Sequence, residues 1–245
     1  MQDSQLRGSK SVKSRRKRPF VVEFYGSDVG KKWAMALSGV MLLGFLVAHL
    51  LGNLKVFLGS ADINLYGGAL RDLGGDLVPG QSVLWAMRGG LLLAYGVHVH
   101  AALSLWRRNR KARGEVDYES RSDYLAATYA SRFMAYTGST VFLFVLFHLA
   151  DFTFGGVNPD FRYGDIYSNM IATFERVPVV IIYIVAILAL GVHIWHGTWS
   201  LFQSIGVNSP RFNRWRRLLA YGLTGFIVIG NISMPLAVQF GIIKI

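Results

Sequence analysis

A chain of 245 residues that is 52% apolar and only 16% charged, with a mean hydropathy of +0.35, has the composition of a membrane protein and leaves no stretch for a separate soluble domain. The absence of cysteine excludes disulfides and any iron–sulfur cluster held by thiolates of this chain alone. The net charge of +12 is strongly basic, but in such a chain it points to anionic headgroups or a docked acidic partner and not to nucleic acid.

Residues 1–30 form a basic N-terminal segment, and its first part, MQDSQLRGSKSVKSRRKRP, has the low apolar content of chain that is disordered or draped over a partner. Pro19, Glu23 and Asp28 separate the SRRKR cluster from the first apolar run, and no small-residue cleavage pattern follows that run, which argues against a signal peptide. The cluster reads instead as a topology determinant. Residues 31–245 then read as one all-α domain, a transmembrane bundle of five helices. Its apolar runs cover residues 33–56, 84–106, 133–154, 178–202 and 218–240, each near the about 20 residues that cross a hydrocarbon core. Trp33, Trp85, Trp106, Trp199 and Trp215 fall at run ends, as an aromatic belt does.

Counting loop charge orients the bundle. Segments 1–32, 107–132 and 203–217 carry 20 Lys and Arg against 7 Asp and Glu, and the remainder carries 6 against 7. The positive-inside rule therefore predicts a cytoplasmic N-terminus and an external C-terminus.

All six histidines lie within the apolar runs, where ionisable groups are costly and usually functional. His49 follows Lys32 by 17 residues and His148 follows Arg132 by 16, which places both about 25 Å deep on helices entering from inside. His100 precedes Arg107 and His196 precedes Gln203 by seven residues each, about 10 Å at helical rise. His98 and His193 lie slightly deeper and level with each other. Histidines paired at two depths on four helices form the donor set that two bis-histidine haems b require. His98 stands about 160° round its helix from His100, so one of the two faces a given site. His193 shares a face with His196, so spacing leaves His98 and His193 open as alternates to the level pair His100 and His196. Gly39, Gly44, Gly89, Gly90, Gly96, Gly138, Gly191 and Gly197 allow close approach of a neighbouring helix or a flat macrocycle.

The stretches ALSGVMLLGFLVAHLLGNLKVFLG with DINLYGGALRDLG, RGGLLLAYGVHVHAALSLWRR, ASRFMAYTGSTVFLFVLFHLADF and VHIWHGTWSLFQSIGVNSP carry a resemblance. In that order on five spans, they resemble the cytochrome b558 membrane anchor, of the five-helix and two-haem kind, of succinate:quinone oxidoreductases and quinol:fumarate reductases. The resemblance covers essentially everything from Trp33 to Phe240. It implies His49 and His148 as distal haem ligands and His100 and His196 as proximal ones. It also implies a flavoprotein and an iron–sulfur subunit docked on the cytoplasmic face, a membrane quinone (menaquinone) as substrate, and residence in the bacterial cytoplasmic membrane.

Arg88 and Arg132 open the second and third spans, where guanidinium forks suit haem propionates. Asp62, Asn64, Tyr66 and Asp151 lie near the distal ligands in sequence, and Ser38, Asn53 and Gln203 are polar groups at span ends. These seven are the candidates for quinone and proton handling. Two other readings of the same residues stay open: the cytochrome b of another quinone-linked dehydrogenase or hydrogenase, and a haem-free transporter or anchor whose histidines carry protons.

Overall fold

The computed structural model describes residues 19–113, 129–207 and 209–245, and of residues 113 and 129–132 the backbone alone. The basic tail before Pro19 lies outside the described residues. Eight α-helices and no strand occur among those described. A short helix, α1 (Phe20–Gly26), leads to Ser27, whose Oγ caps α2 by accepting from the Gly30 amide at 2.9 Å. Helix α2 (Asp28–Asn53) runs on as a 3-10 turn to Leu58, and Gly59 at φ +109° turns the chain into α3 (Ser60–Arg71). Helices α4 (Ser82–Arg113) and α5 (Tyr129–Phe152) follow, then α6 (Ile166–Phe174), α7 (Val177–Ser204) and α8 (Asn213–Gln239).

Five of these are long and apolar enough to cross a membrane: Asp28–Leu58, Ser82–Ala112, Phe133–Phe152, Val177–Ser204 and Pro210–Gln239. The five-span architecture expected from hydropathy is present, making this a multi-pass membrane protein. The first span starts at Asp28 and not near Trp33, because the Ser27 cap and the first-turn Asp28 satisfy its amide end. Three short helices went unread in the sequence. Helix α1 lies at one end of the bundle, and α3 and α6 close the other.

Packing divides the bundle in two. Helix α2 packs on α4 and also touches α7, α5 packs on α7, and α8 lies along α7 while touching α2. Among the described residues, α2 and α5 are not close-packed, and neither are α4 and α7. The two helix pairs therefore meet where α2 touches α7, and a slot is left between α2 and α5 and between α4 and α7. Helix α8 seals its flank through glycine. A Cβ on Gly230 would stand 2.8 Å from Leu50 Cδ2, and one on Gly191 would stand 2.6 Å from a Val228 methyl, so both close approaches need a missing side chain. The apolar core gathers at the α3–α6 end, where Leu50, Ile63, Ile171, Tyr183 and Met234 join five helices. There Asn64 locks α3 to α6: its Nδ2 donates to Asp165 at 3.0 Å, and its Oδ1 accepts from the Ile166 amide at 2.8 Å.

Candidate functional site

Four histidines project into the slot and meet in two facing pairs. His49 on α2 and His148 on α5 have ring centroids 5.9 Å apart with planes at 89°. His98 on α4 and His193 on α7 have centroids 6.3 Å apart at 61°. Two imidazoles sharing one metal ion at a metal–nitrogen distance of about 2 Å have centroids about 6 Å apart, the separation seen at both levels. The levels are set by α2 and α5. His98 packs on Gly39 and His193 on Gly138, where added Cβ atoms would stand 3.4 Å and 3.5 Å from the imidazole Cε1. His49 and His148 each lie ten residues further along those helices, about 15 Å at helical rise.

The ring nitrogens are held from behind. His98 Nδ1 lies 3.1 Å from the Met35 carbonyl, which can only accept, so that nitrogen carries the proton. Thr137 Oγ1 spends its own proton on the Phe133 carbonyl at 3.1 Å and so accepts from His193 Nδ1 at 3.4 Å. His148 Nδ1 lies 3.2 Å from the Tyr183 hydroxyl. In each case Nε2 keeps its lone pair, the tautomer a metal ligand requires. The donor set, the spacing and the held tautomers would suit haem iron held by His49 with His148 and by His98 with His193.

The facing pair at the inner level differs from the pair that the resemblance implies. The inner facing pair is His98 with His193, and not His100 with His196. His100 stands on the other side of α4, exposed, and its Nδ1 makes a 2.5 Å hydrogen bond with the Tyr25 hydroxyl of α1. His196 lies one turn beyond His193, half-buried, and faces no histidine of α4. Periodicity on one helix could not separate these choices, but an internal repeat does. Ser38-Gly39 precedes His49 as Thr137-Gly138 precedes His148, and Leu93-Ala94-Tyr95-Gly96-Val97-His98 recurs as Leu188-Ala189-Leu190-Gly191-Val192-His193. The pair α2–α4 thus recurs as α5–α7, and only His98 and His193 occupy equivalent places.

The remaining candidates scatter. Ser38 Oγ donates to the Ala34 carbonyl at 2.6 Å and lies 3.4 Å from His98 Nδ1, so it belongs to the inner level. Asp151 is fully buried behind His148, with Tyr183 Oη 3.0 Å from Oδ2 and Arg176 Nη2 2.7 Å from Oδ1. Asn64 is the α3–α6 lock described above. Tyr66 fills the space over Gly52, with the Lys55 ammonium 5.7 Å from its ring. Asn53 is half-buried at the end of α2, whereas Asp62 and Gln203 are exposed. The side chain of Arg132 lies outside the described residues.

Arg88 lies 4.9 Å over the Trp85 ring and lines a cavity of about 310 Å³ at the α3–α6 end, together with Arg71, Gln81, Phe152 and Tyr163. The cavity adjoins the His49–His148 level, since the Phe152 ring is 5.3 Å from His148. Gln81 adopts φ +65°, a strained conformation of the kind that clusters at ligand sites. Tyr183, Arg176, Arg71, Gln81 and Tyr163 escaped sequence reasoning because they come from a span interior and from connecting segments with no motif.

No protein-family model, no curated protein and no solved structure matches this chain.

Proposed function

We propose that this chain is the membrane-anchoring, quinone-reactive di-haem cytochrome b subunit of a succinate:quinone oxidoreductase or quinol:fumarate reductase. One observation carries the reading: two pairs of imidazoles, each about 6 Å between centroids, stacked along a slot between two helix pairs. When bound there, haem iron supplies one-electron chemistry between a soluble donor and a quinone. His98 and His193 would hold the proximal group, His49 and His148 the distal one.

The excess of Lys and Arg in segments 1–32, 107–132 and 203–217 supports a cytoplasmic N-terminus and a docking face on that side for a flavoprotein and an iron–sulfur subunit. The cavity beside His148 supports the quinone assignment. It is walled by aromatic rings, offers two guanidinium groups and two carboxamides, and lies at the α3–α6 end of the bundle. Arg71 and Arg88 there also suit haem propionates.

The test is a reduced-minus-oxidised visible spectrum of the purified chain, with analysis of what copurifies in mild detergent. A b-type α-band with two haems per chain, together with a flavin-containing partner, is the expected result. Absence of the band sinks the haem assignment. A band without the flavoprotein sinks the succinate or fumarate assignment and favours another quinone-linked dehydrogenase.

A further inference from the structure

Behind His148 runs a chain of side chains that the haem reading does not itself require. Asp151 sits one turn beyond His148 on α5 and is fully buried. Such a carboxylate needs a paired cation and hydrogen bonds. Arg176, at the start of α7, supplies the cation at 2.7 Å and is itself anchored by the Val157 carbonyl at 2.6 Å and the Ala172 carbonyl at 3.1 Å. Tyr183 lies between Asp151 and His148 in a cage of Phe144, Phe147, Phe152 and Phe174.

The direction of each hydrogen bond follows from proton counting. The ionised carboxylate only accepts, so the single hydroxyl proton of Tyr183 goes to Asp151 Oδ2 at 3.0 Å. The phenol oxygen then accepts from His148 Nδ1–H at 3.2 Å. We propose that Tyr183, oriented by the buried Asp151 and its half-buried partner Arg176, is the positioning residue for His148. It fixes the ring and tautomer, and makes this imidazole a stronger electron donor than its partner His49. No hydrogen bond backs His49 among the described residues, where its ring stacks on Phe45 at 5.2 Å. His98 has a neutral carbonyl and the Ser38 hydroxyl behind it, and His193 only a hydroxyl. The anion-backed imidazole therefore stabilises the oxidised metal at the His49–His148 level alone.

This inference rests on the haem reading, and its test separates the two. Tyr183→Phe keeps the ring in its aromatic cage and deletes the bond; Asp151→Asn keeps the shape and deletes the charge. The readouts are haem content, the midpoint potential of each haem and the low-temperature electron paramagnetic resonance spectrum. Expected is retention of both haems, with one potential raised by about 59 mV, a tenfold loss of preference for the oxidised metal, and the other unchanged. If Tyr183→Phe sheds the haem of this level, Asp151→Asn decides by the same potential. Unchanged potentials and spectra, or equal shifts at both haems, would overturn the positioning role while leaving the haem reading intact. A wild-type protein without haem would overturn that reading instead.

Discussion

Replacing Gly138 by valine puts the width of the slot to the test. An ideal Cβ at this position stands 3.5 Å from His193 Cε1, an ordinary van der Waals contact, so Gly138→Ala should leave the ring in place. Valine adds two methyls about 1.5 Å beyond Cβ, and within a helix its χ1 is held to one dominant rotamer. A methyl directed at the ring would come to about 2 Å from Cε1, and restoring a contact of 3.5 Å or more requires a retreat of about 1.5 Å. Metal–ligand distances tolerate about 0.2 Å, so His193 would leave the metal, while the overpacking itself costs the helix pair only about 1–3 kcal/mol. The assay is haem per polypeptide with potentiometric resolution of the two centres. The account predicts one haem lost in Gly138→Val, the His49–His148 haem retained with its own potential, and both retained in Gly138→Ala. A valine variant with two haems and wild-type spectra would refute the slot geometry.

Two further outcomes follow from contacts at the ends of the bundle. Tyr25→Phe deletes the bond to His100 but leaves the Arg108–Asp28 ion pair at 2.5 Å and the Arg108 bond to the Gly26 carbonyl at 3.0 Å. Hydrogen exchange of the α1 amides should rise about fivefold, the worth of one modest hydrogen bond, with haem content unchanged; haem loss would put His100 back among the ligands. At the opposite end, hydrogen bonds from Ser168 hold the Asp165 carboxyl below the usual carboxylate range. A depressed folded-state value makes its contribution full above about pH 4 and lost as pH falls through that lower value. Asp165→Ala should thus lower Tm at neutral pH by removing a helix cap worth about 1 kcal/mol. The gap to wild type should close on acidification, and a gap that widens in acid would contradict the assignment.

The five spans and the outer pair of histidines could be read from the chain because hydrophobic length and helical rise are properties of one helix at a time. His49 and His148 are the lone histidines of their spans, so depth alone assigns them. The inner pair depends on which face of α4 meets α7, a relation between helices that spacing within α4 does not encode. The Leu-Ala-x-Gly-Val-His repeat does encode it, since equivalent helices present equivalent faces. Helices α1, α3 and α6 are too short to carry a span signal. The bond from Tyr183 to Asp151 joins residues 32 positions apart across two spans, and only tertiary packing brings them together. Asp151 is nonetheless legible by its place beside His148, and the fold adds that it is buried and paired with Arg176.

Haem stoichiometry in six single variants bears on the central claim most directly. His49→Ala, His98→Ala, His148→Ala and His193→Ala should each lose haem, whereas His100→Ala and His196→Ala should keep two per chain. Retention of both haems in His98→Ala or His193→Ala, with loss in His100→Ala or His196→Ala, would contradict the pairing across the slot.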